Sequence, residues 1–86
     1  MKEFIYTIKD QLGIHARPAG MLVKEAKNYK SSIKLEKEDG KSADATRLMA
    51  IMTLGIKCGN QIRITVEGED EDTAIEMLKK IFEENL

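Results

Sequence analysis

The sequence predicts an α+β fold, a two-layer sandwich in which three helices cover one face of a four-stranded antiparallel sheet. Its 86 residues suit one small domain, and we expect that domain to span residues 1–86. Several short stretches alternate apolar and polar residues, which is typical of half-buried strands. Other stretches repeat apolar residues every three or four positions, which indicates amphipathic helices. The resulting order is β-α-β-β-α-β-α. Periodicity leaves the strand order open, and a split βαβ arrangement is one solution.

The first half of the chain contains the first four of these elements. Residues 3–8 alternate and predict a strand, and residues 9–14 form a loop. Apolar positions spaced i, i+3, i+4 and i+7 predict a helix over residues 16–28. Alternation predicts a second strand around residues 33–36. An Asp-Gly pair then signals a hairpin turn, so residues 41–44 are expected to form a short third strand.

The second half contains a short helix, the clearest strand and the last helix. Residues 47–53 predict the short helix, with Gly55 as its left-handed terminator. Residues 61–67 alternate without interruption and predict a strand. Asp70 or Asp72 is placed to cap the last helix. The residues of that helix that are expected to face the sheet are Ala74, Leu78, Ile81 and Phe82.

Composition excludes several classes of protein. No apolar run approaches the about 20 residues needed to cross a bilayer, and the first residues do not resemble a signal peptide, so no membrane insertion is expected. A single cysteine, Cys58, cannot form an internal disulfide, which favours a reducing cytoplasm. With one histidine and one cysteine, neither a Cys/His zinc cage nor a two-histidine metal site can form, and no cofactor is expected.

Charge is distributed unevenly although the net charge is only −1. Residues 1–66 carry 12 basic and 7 acidic side chains, a balance of +5, whereas residues 67–86 carry 2 and 8, a balance of −6. The basic surplus could steer an acidic partner or a phosphate, or simply keep the surface solvated. The basic surplus is too small to indicate nucleic-acid binding. The chain also offers few aromatic side chains on which bases could stack, since it has two Phe, two Tyr and no Trp.

Residues 13–18 contain the strongest chemical signal. His15, the only histidine, falls where a glycine-containing loop becomes a helix whose first turn tolerates Pro18. The first backbone N–H groups of that helix, from Ala16 and Arg17, lack intrahelical partners and attract anions. The same positive field disfavours an imidazolium, and a neutral ring is a nucleophile that could carry a phosphoryl group. The simpler alternatives are that His15 is an N-cap or surface residue and Arg17 an ordinary surface arginine.

The stretch Gly13-Ile14-His15-Ala16-Arg17-Pro18-Ala19 resembles the active-site signature of HPr, the histidine phosphocarrier family of the bacterial sugar phosphotransferase system (PTS). The resemblance continues through residues 24–26, 39–43 and 48–55 and covers essentially the whole chain. It implies the family's open-faced β-sandwich. It also implies that Nδ1 of His15 accepts a phosphoryl group from phospho-enzyme I, which phosphoenolpyruvate has charged, and passes it to sugar-specific IIA domains. Arg17 corresponds to the family's active-site arginine.

One position departs from the family pattern. Many HPr proteins carry a regulatory serine at the start of the second helix, and here that position is Arg47. Arginine cannot be phosphorylated in that way, and Thr46 is one residue out of register. Regulation by a serine kinase is therefore not expected to carry over to this chain, and Arg47 instead adds positive charge that suits an acidic partner.

Two further features match a carrier that docks with different proteins in turn. Arg17, Lys24 and Lys27 recur at helical spacing, with Gly20 between them, and form a basic stripe. The short second helix offers flexible apolar side chains, and its candidate docking residues are Leu48, Met49 and Met52. By composition alone, the stripe could be the solvated side of a helix and the methionines could belong to the core.

Two other functions stay open at this stage. A paralogous phosphocarrier of the nitrogen-related branch would share the chemistry and deliver to a regulator. A passive split βαβ module would bind RNA or a small effector, although few aromatic residues argue against RNA. In each case a monomer is the expected state.

Overall fold

The computed structural model describes all 86 residues and has the predicted element order. The elements are β1 (Lys2–Thr7), α1 (Ala16–Ala26), β2 (Ser32–Lys37), β3 (Ser42–Asp44), α2 (Leu48–Thr53), β4 (Gln61–Glu67) and α3 (Glu71–Asn85). The four strands form one antiparallel sheet in the order β1-β4-β2-β3. Because β4 pairs antiparallel with both β1 and β2, those two strands run parallel with β4 between them. The fold is therefore the split βαβ arrangement that periodicity left open.

The core lies between the sheet and the helices. The central strand β4 contributes Ile62, Ile64 and Val66, all of which are fully buried. Phe82 of α3 is also fully buried, and its ring packs edge-on against Phe4, with ring centroids 5.7 Å apart. The other face of the sheet is open. A two-layer fold of this kind leaves α1 and α2 with one side in the core and one side in water.

Strand β1 begins and ends one residue earlier than predicted, and helix α1 differs from the prediction at its C-terminal end. Strand β1 ends at Thr7, and Ile8, predicted as its last residue, lies just beyond it in the core. Helix α1 ends at Ala26, two residues before the predicted end. Its last turn tightens, because the Asn28 N–H donates to the Glu25 carbonyl three residues back. Helical periodicity of side chains does not detect this change.

Helix α3 differs from the prediction in how it begins. Asp70 occupies the N-cap position, but its side chain makes no cap hydrogen bond. Its carboxylate instead accepts hydrogen bonds from the backbone N–H of Lys30 at 2.9 Å and of Ser31 at 3.0 Å. The Ser31 hydroxyl, followed by those N–H groups, lowers the pKa of Asp70. The other predicted cap, Asp72, lies inside the first turn. Asp70 therefore ties the start of α3 to the turn before β2.

Gly13 places the chain for α1. It has a φ of +68°, in the left-handed region, and a Cβ at this position would collide with the backbone carbonyl of Ile56. The next residue, Ile14, donates its N–H to that same carbonyl at 3.2 Å and is buried. Position 13 therefore requires glycine both for its positive φ and for the nearby Ile56 carbonyl. The contact with that carbonyl also fixes the position of the residue that follows Ile14.

Replacement of Gly13 tests how firmly this turn is held. Gly13→Ala should lower the free energy of unfolding by at least about 3 kcal/mol, because backbone strain and a clash with backbone add. Gly40→Ala is the matched control, since Gly40 has a φ of +90° with open space around it. The control should lose only about 1–2 kcal/mol. Urea denaturation of the two variants measures the difference, and equal losses would contradict a role for the Ile56 contact.

Candidate functional site

His15 is the residue at which the loop becomes α1. It is the N-cap, with extended backbone angles (φ −94°, ψ −179°), and its carbonyl accepts the first helical hydrogen bond from Ala19 at 3.0 Å. Its ring makes no capping hydrogen bond to the helix. The side chain is 36% exposed. The imidazole therefore does not serve as an ordinary helix cap and is accessible from outside.

Two backbone donors next to His15 have no partner. Neither the N–H of Ala16 nor that of Arg17 donates a hydrogen bond, and Pro18 has no N–H to offer. Both donors belong to the first turn of an 11-residue helix, where the helix dipole adds partial positive charge. The arrangement favours an anion held beside the imidazole ring.

Arg17 adds a full positive charge to this region. Its side chain is exposed and takes part in none of the salt bridges of the chain. It lines a shallow depression that also contains His15. The complete lining is Asp10, His15, Arg17, Pro18, Met21, Glu84 and Asn85. His15 and Arg17, both selected from the sequence, are therefore brought together.

The depression also contains residues that sequence reasoning missed. Glu84 and Asn85 come from the last turn of α3, and no local pattern in the sequence brings that turn to residue 15. Asp10 comes from the loop before α1, and its Oδ2 atom lies 3.6 Å from Nε2 of His15. An aspartate five residues before the histidine was a usable signal, since aspartate side chains organise turns. The expected positive field at the ring is thus opposed by a carboxylate.

Most of the predicted docking residues lie on exposed parts of α1 and α2 or next to them, and these two helices pack against each other. Lys24 and Lys27 are exposed, and Gly20 has open space above its Cα. On the second helix Met49 is 73% exposed and Leu48 is 40% exposed. The remaining two members differ: Arg47 precedes the helix and is exposed, whereas Met52 is half-buried and packs against the core.

Thr46 is occupied in a local turn. Its hydroxyl donates to Oδ1 of Asp44 at 2.6 Å, and its backbone N–H donates to the same oxygen at 2.8 Å. These hydrogen bonds, hydroxyl first, lower the pKa of Asp44. The neighbouring Arg47 is the N-cap of α2. The Thr46 hydroxyl is already engaged by the Asp44 carboxylate. The structure therefore gives no reason to transfer to Thr46 the regulatory phosphorylation that Arg47 cannot accept.

No group of three or more His, Cys, Asp or Glu side chains is arranged to hold a metal ion. The longest helix, α3, has 15 residues, and none of the helices could span a bilayer.

Comparison with known proteins places the chain in a family. A family model described as "PTS HPr component phosphorylation site" matches residues 2–84. The phosphocarrier protein HPr of Mycoplasma genitalium is 40% identical over 85 residues, which cover 99% of this chain and 97% of the relative. The HPr-C-His crystal structure from Thermoanaerobacter tengcongensis superposes with a TM-score of 0.89 at 41% identity, covering 96% of this chain and 92% of that one. An HPr dimer from the same organism gives 0.76 at 40% identity, with 98% and 95% covered.

The split βαβ sandwich, the histidine at the start of its first helix and these relatives together define a class of small phosphocarrier. The chain belongs to the HPr family of phosphocarrier proteins of the PTS. The resemblance described from the sequence and the predicted α+β fold are both confirmed. The nitrogen-branch paralogue and the passive binding module are not favoured by these comparisons.

Proposed function

We propose that this chain carries a phosphoryl group on Nδ1 of His15, taken from phospho-enzyme I and delivered to sugar-specific IIA domains. The observation that supports this most directly is the exposed His15 ring beside the unpaired N–H groups of Ala16 and Arg17. Membership in a family of phosphocarriers gives the reaction class. The chain needs no cofactor for this role and acts as a stoichiometric carrier.

The proposed chemistry is a reversible exchange of one bond for another. The Nδ1 lone pair of His15 attacks phosphorus, an N–P bond forms, and the bond between phosphorus and the donor breaks and returns its electron pair to the donor. The phosphoryl oxygens then accept hydrogen bonds from the N–H groups of Ala16 and Arg17, and the Arg17 guanidinium adds charge-assisted bonds. Delivery to the acceptor reverses these steps. A partly exposed site stabilises the group without enclosing it.

The same proposal assigns a docking surface and a cellular setting. The docking surface comprises Gly20, Lys24, Lys27, Arg47, Leu48, Met49 and Met52. The exposed positive charges suit acidic partners, and the exposed Met49 can adapt to more than one of them. We place the chain in the cytoplasm, where its partners would meet it, as one domain over residues 1–86. The core closes within one chain, which supports a monomer, and sedimentation equilibrium would check this.

The first test is phosphorylation of the purified chain. Enzyme I and phosphoenolpyruvate should add one phosphoryl group, seen by intact mass, and mild acid should remove it because the P–N bond is acid-labile. His15→Ala should abolish the addition while the fold survives, since the His15 side chain makes no capping hydrogen bond. Transfer to a sugar-specific IIA domain should follow in the same assay. An unchanged mass of the wild-type chain would overturn the proposed function.

A second test concerns Arg17. Arg17→Ala should slow phosphorylation of His15 by about tenfold or more, because a hydrogen bond from a charged donor is lost near the phosphoryl group. Arg63→Ala is the matched control, since Arg63 is an exposed arginine on the uncovered sheet face, where it pairs with Glu3 and Glu36. Stopped-flow or quenched-flow transfer from phospho-enzyme I gives both rates. Equal phosphorylation rates for the two variants would show that Arg17 takes no part in the transfer.

A third test concerns the docking surface. Met49→Glu should slow transfer from enzyme I by about fivefold or more, because it replaces an apolar contact with a charge that repels an acidic partner. Its free energy of unfolding should change by less than about 0.5 kcal/mol, since the side chain is 73% exposed. Met77→Glu, at a 37% exposed methionine on α3, is the control and should transfer normally. A normal rate for the Met49 variant would place docking elsewhere.

A further inference from the structure

We propose that Asp10 is a positioning residue for phosphoryl transfer, holding the His15 ring so that Nε2 carries the proton and Nδ1 carries the lone pair. This inference rests on the proposed function of His15. The observation behind it is that Oδ2 of Asp10 faces Nε2 of His15 at 3.6 Å, while the ring makes no other polar contact within the chain. A carboxylate accepts hydrogen bonds and cannot donate them, so it selects the tautomer with the proton on Nε2.

Asp10 is held in place from several directions. Its backbone N–H donates to the Leu86 carbonyl at 3.0 Å, and its own carbonyl accepts from the Gly13 N–H at 2.9 Å. Its Oδ1 atom accepts from the Leu12 N–H at 2.9 Å. These three bonds leave Oδ2 as the free oxygen, and it is the one that faces the imidazole. The carboxylate is therefore pre-positioned by the turn and by the last residue of the chain.

Other charged groups near the ring do not supply the same interaction. Arg17 of α1 and Glu84 of α3 line the same depression, but neither makes a salt bridge with His15. The first turn of α1 offers only donors, which cannot accept the Nε2 proton. Of the two carboxylates that line the depression, those of Asp10 and Glu84, only that of Asp10 lies within salt-bridge distance of Nε2.

The effect on the reaction follows from the charge that develops on the ring. When the neutral Nδ1 lone pair forms the N–P bond, the ring keeps its Nε2 proton and becomes positively charged. The donor leaves with the electron pair of its broken bond to phosphorus, so no proton is needed from elsewhere. A carboxylate about 4 Å from that charge stabilises the product, enough in a solvated site to change the rate by about fivefold.

Asp10→Asn is the most informative variant. The amide oxygen can keep the Leu12 hydrogen bond, which turns the NH2 group toward Nε2 of His15. That group donates, so it favours a lone pair on Nε2 and a proton on Nδ1, the wrong tautomer for attack. Asp39→Asn is the matched control, because Oδ1 of Asp39 accepts from the Lys41 N–H at 2.9 Å in a turn of the same spacing. The Asp39→Asn variant also removes one negative charge, but at a position away from His15.

Two measurements decide the proposal. Phosphorylation by enzyme I should be about fivefold slower in Asp10→Asn than in Asp39→Asn, which should match the wild type. The 15N chemical shifts of the neutral His15 imidazole should show protonated Nε2 in the wild type and move toward protonated Nδ1 only in Asp10→Asn. Thermal unfolding of both variants verifies that each is folded.

The outcomes separate this proposal from the proposed function. Equal phosphorylation rates in the two variants would overturn the role of Asp10 even though the wild type still carries phosphate. A slower rate with unchanged nitrogen shifts would also overturn it, because Asp10 would then act through its charge or through a partner and not by setting the tautomer of His15. If the wild-type chain itself takes up no phosphate, it is the proposed function that fails, and the nitrogen shifts still report the tautomer.

Discussion

The contact of the Gly13–Ile14 backbone with the peptide carbonyl of Ile56 fixes where the chain turns into α1. Gly13 lies too close to that carbonyl for any side chain, and Ile14 donates to it while its own side chain enters the core. The following residue, His15, is left extended at the edge of the core with a helix directly after it. This backbone contact therefore sets where the imidazole and the free N–H groups of the first turn of α1 lie on the surface.

The core and the proposed docking surface lie on different sides of α1 and α2. Phe82, the inward-facing residues of β4 and the buried side of α1 form the core, whereas most of the proposed docking residues lie on the outer surfaces of α1 and α2 or next to them. A carrier that binds one protein after another needs a surface that changes little on binding and adapts through its side chains. Met49 is suited to this, because its exposed thioether can repack without disturbing the core.

The helices and strands could be predicted from the sequence more accurately than the contacts between them. Strand β4 was predicted with its observed bounds, since Ile62, Ile64 and Val66 alternate without interruption. His15 and Arg17 were also found, because they lie two residues apart in one turn. By contrast, the attachment of Asp70 to Ser31 and the approach of Glu84 to the site join residues far apart in the chain. Their partners are chosen by how the helices pack, which periodicity does not encode.

The charges around His15 form a balance that suits a carrier. A site built only from donors and arginine would hold a phosphoryl dianion tightly and release it slowly. In the proposed phosphorylated state the helix N-terminus and Arg17 would attract the group, while Asp10 and Glu84 add negative charge around the same depression. Since the site is open to water, each of these interactions is weakened by the solvent. A partner that excludes water on docking strengthens them together, so transfer would be favoured within the complex and the group retained loosely between encounters.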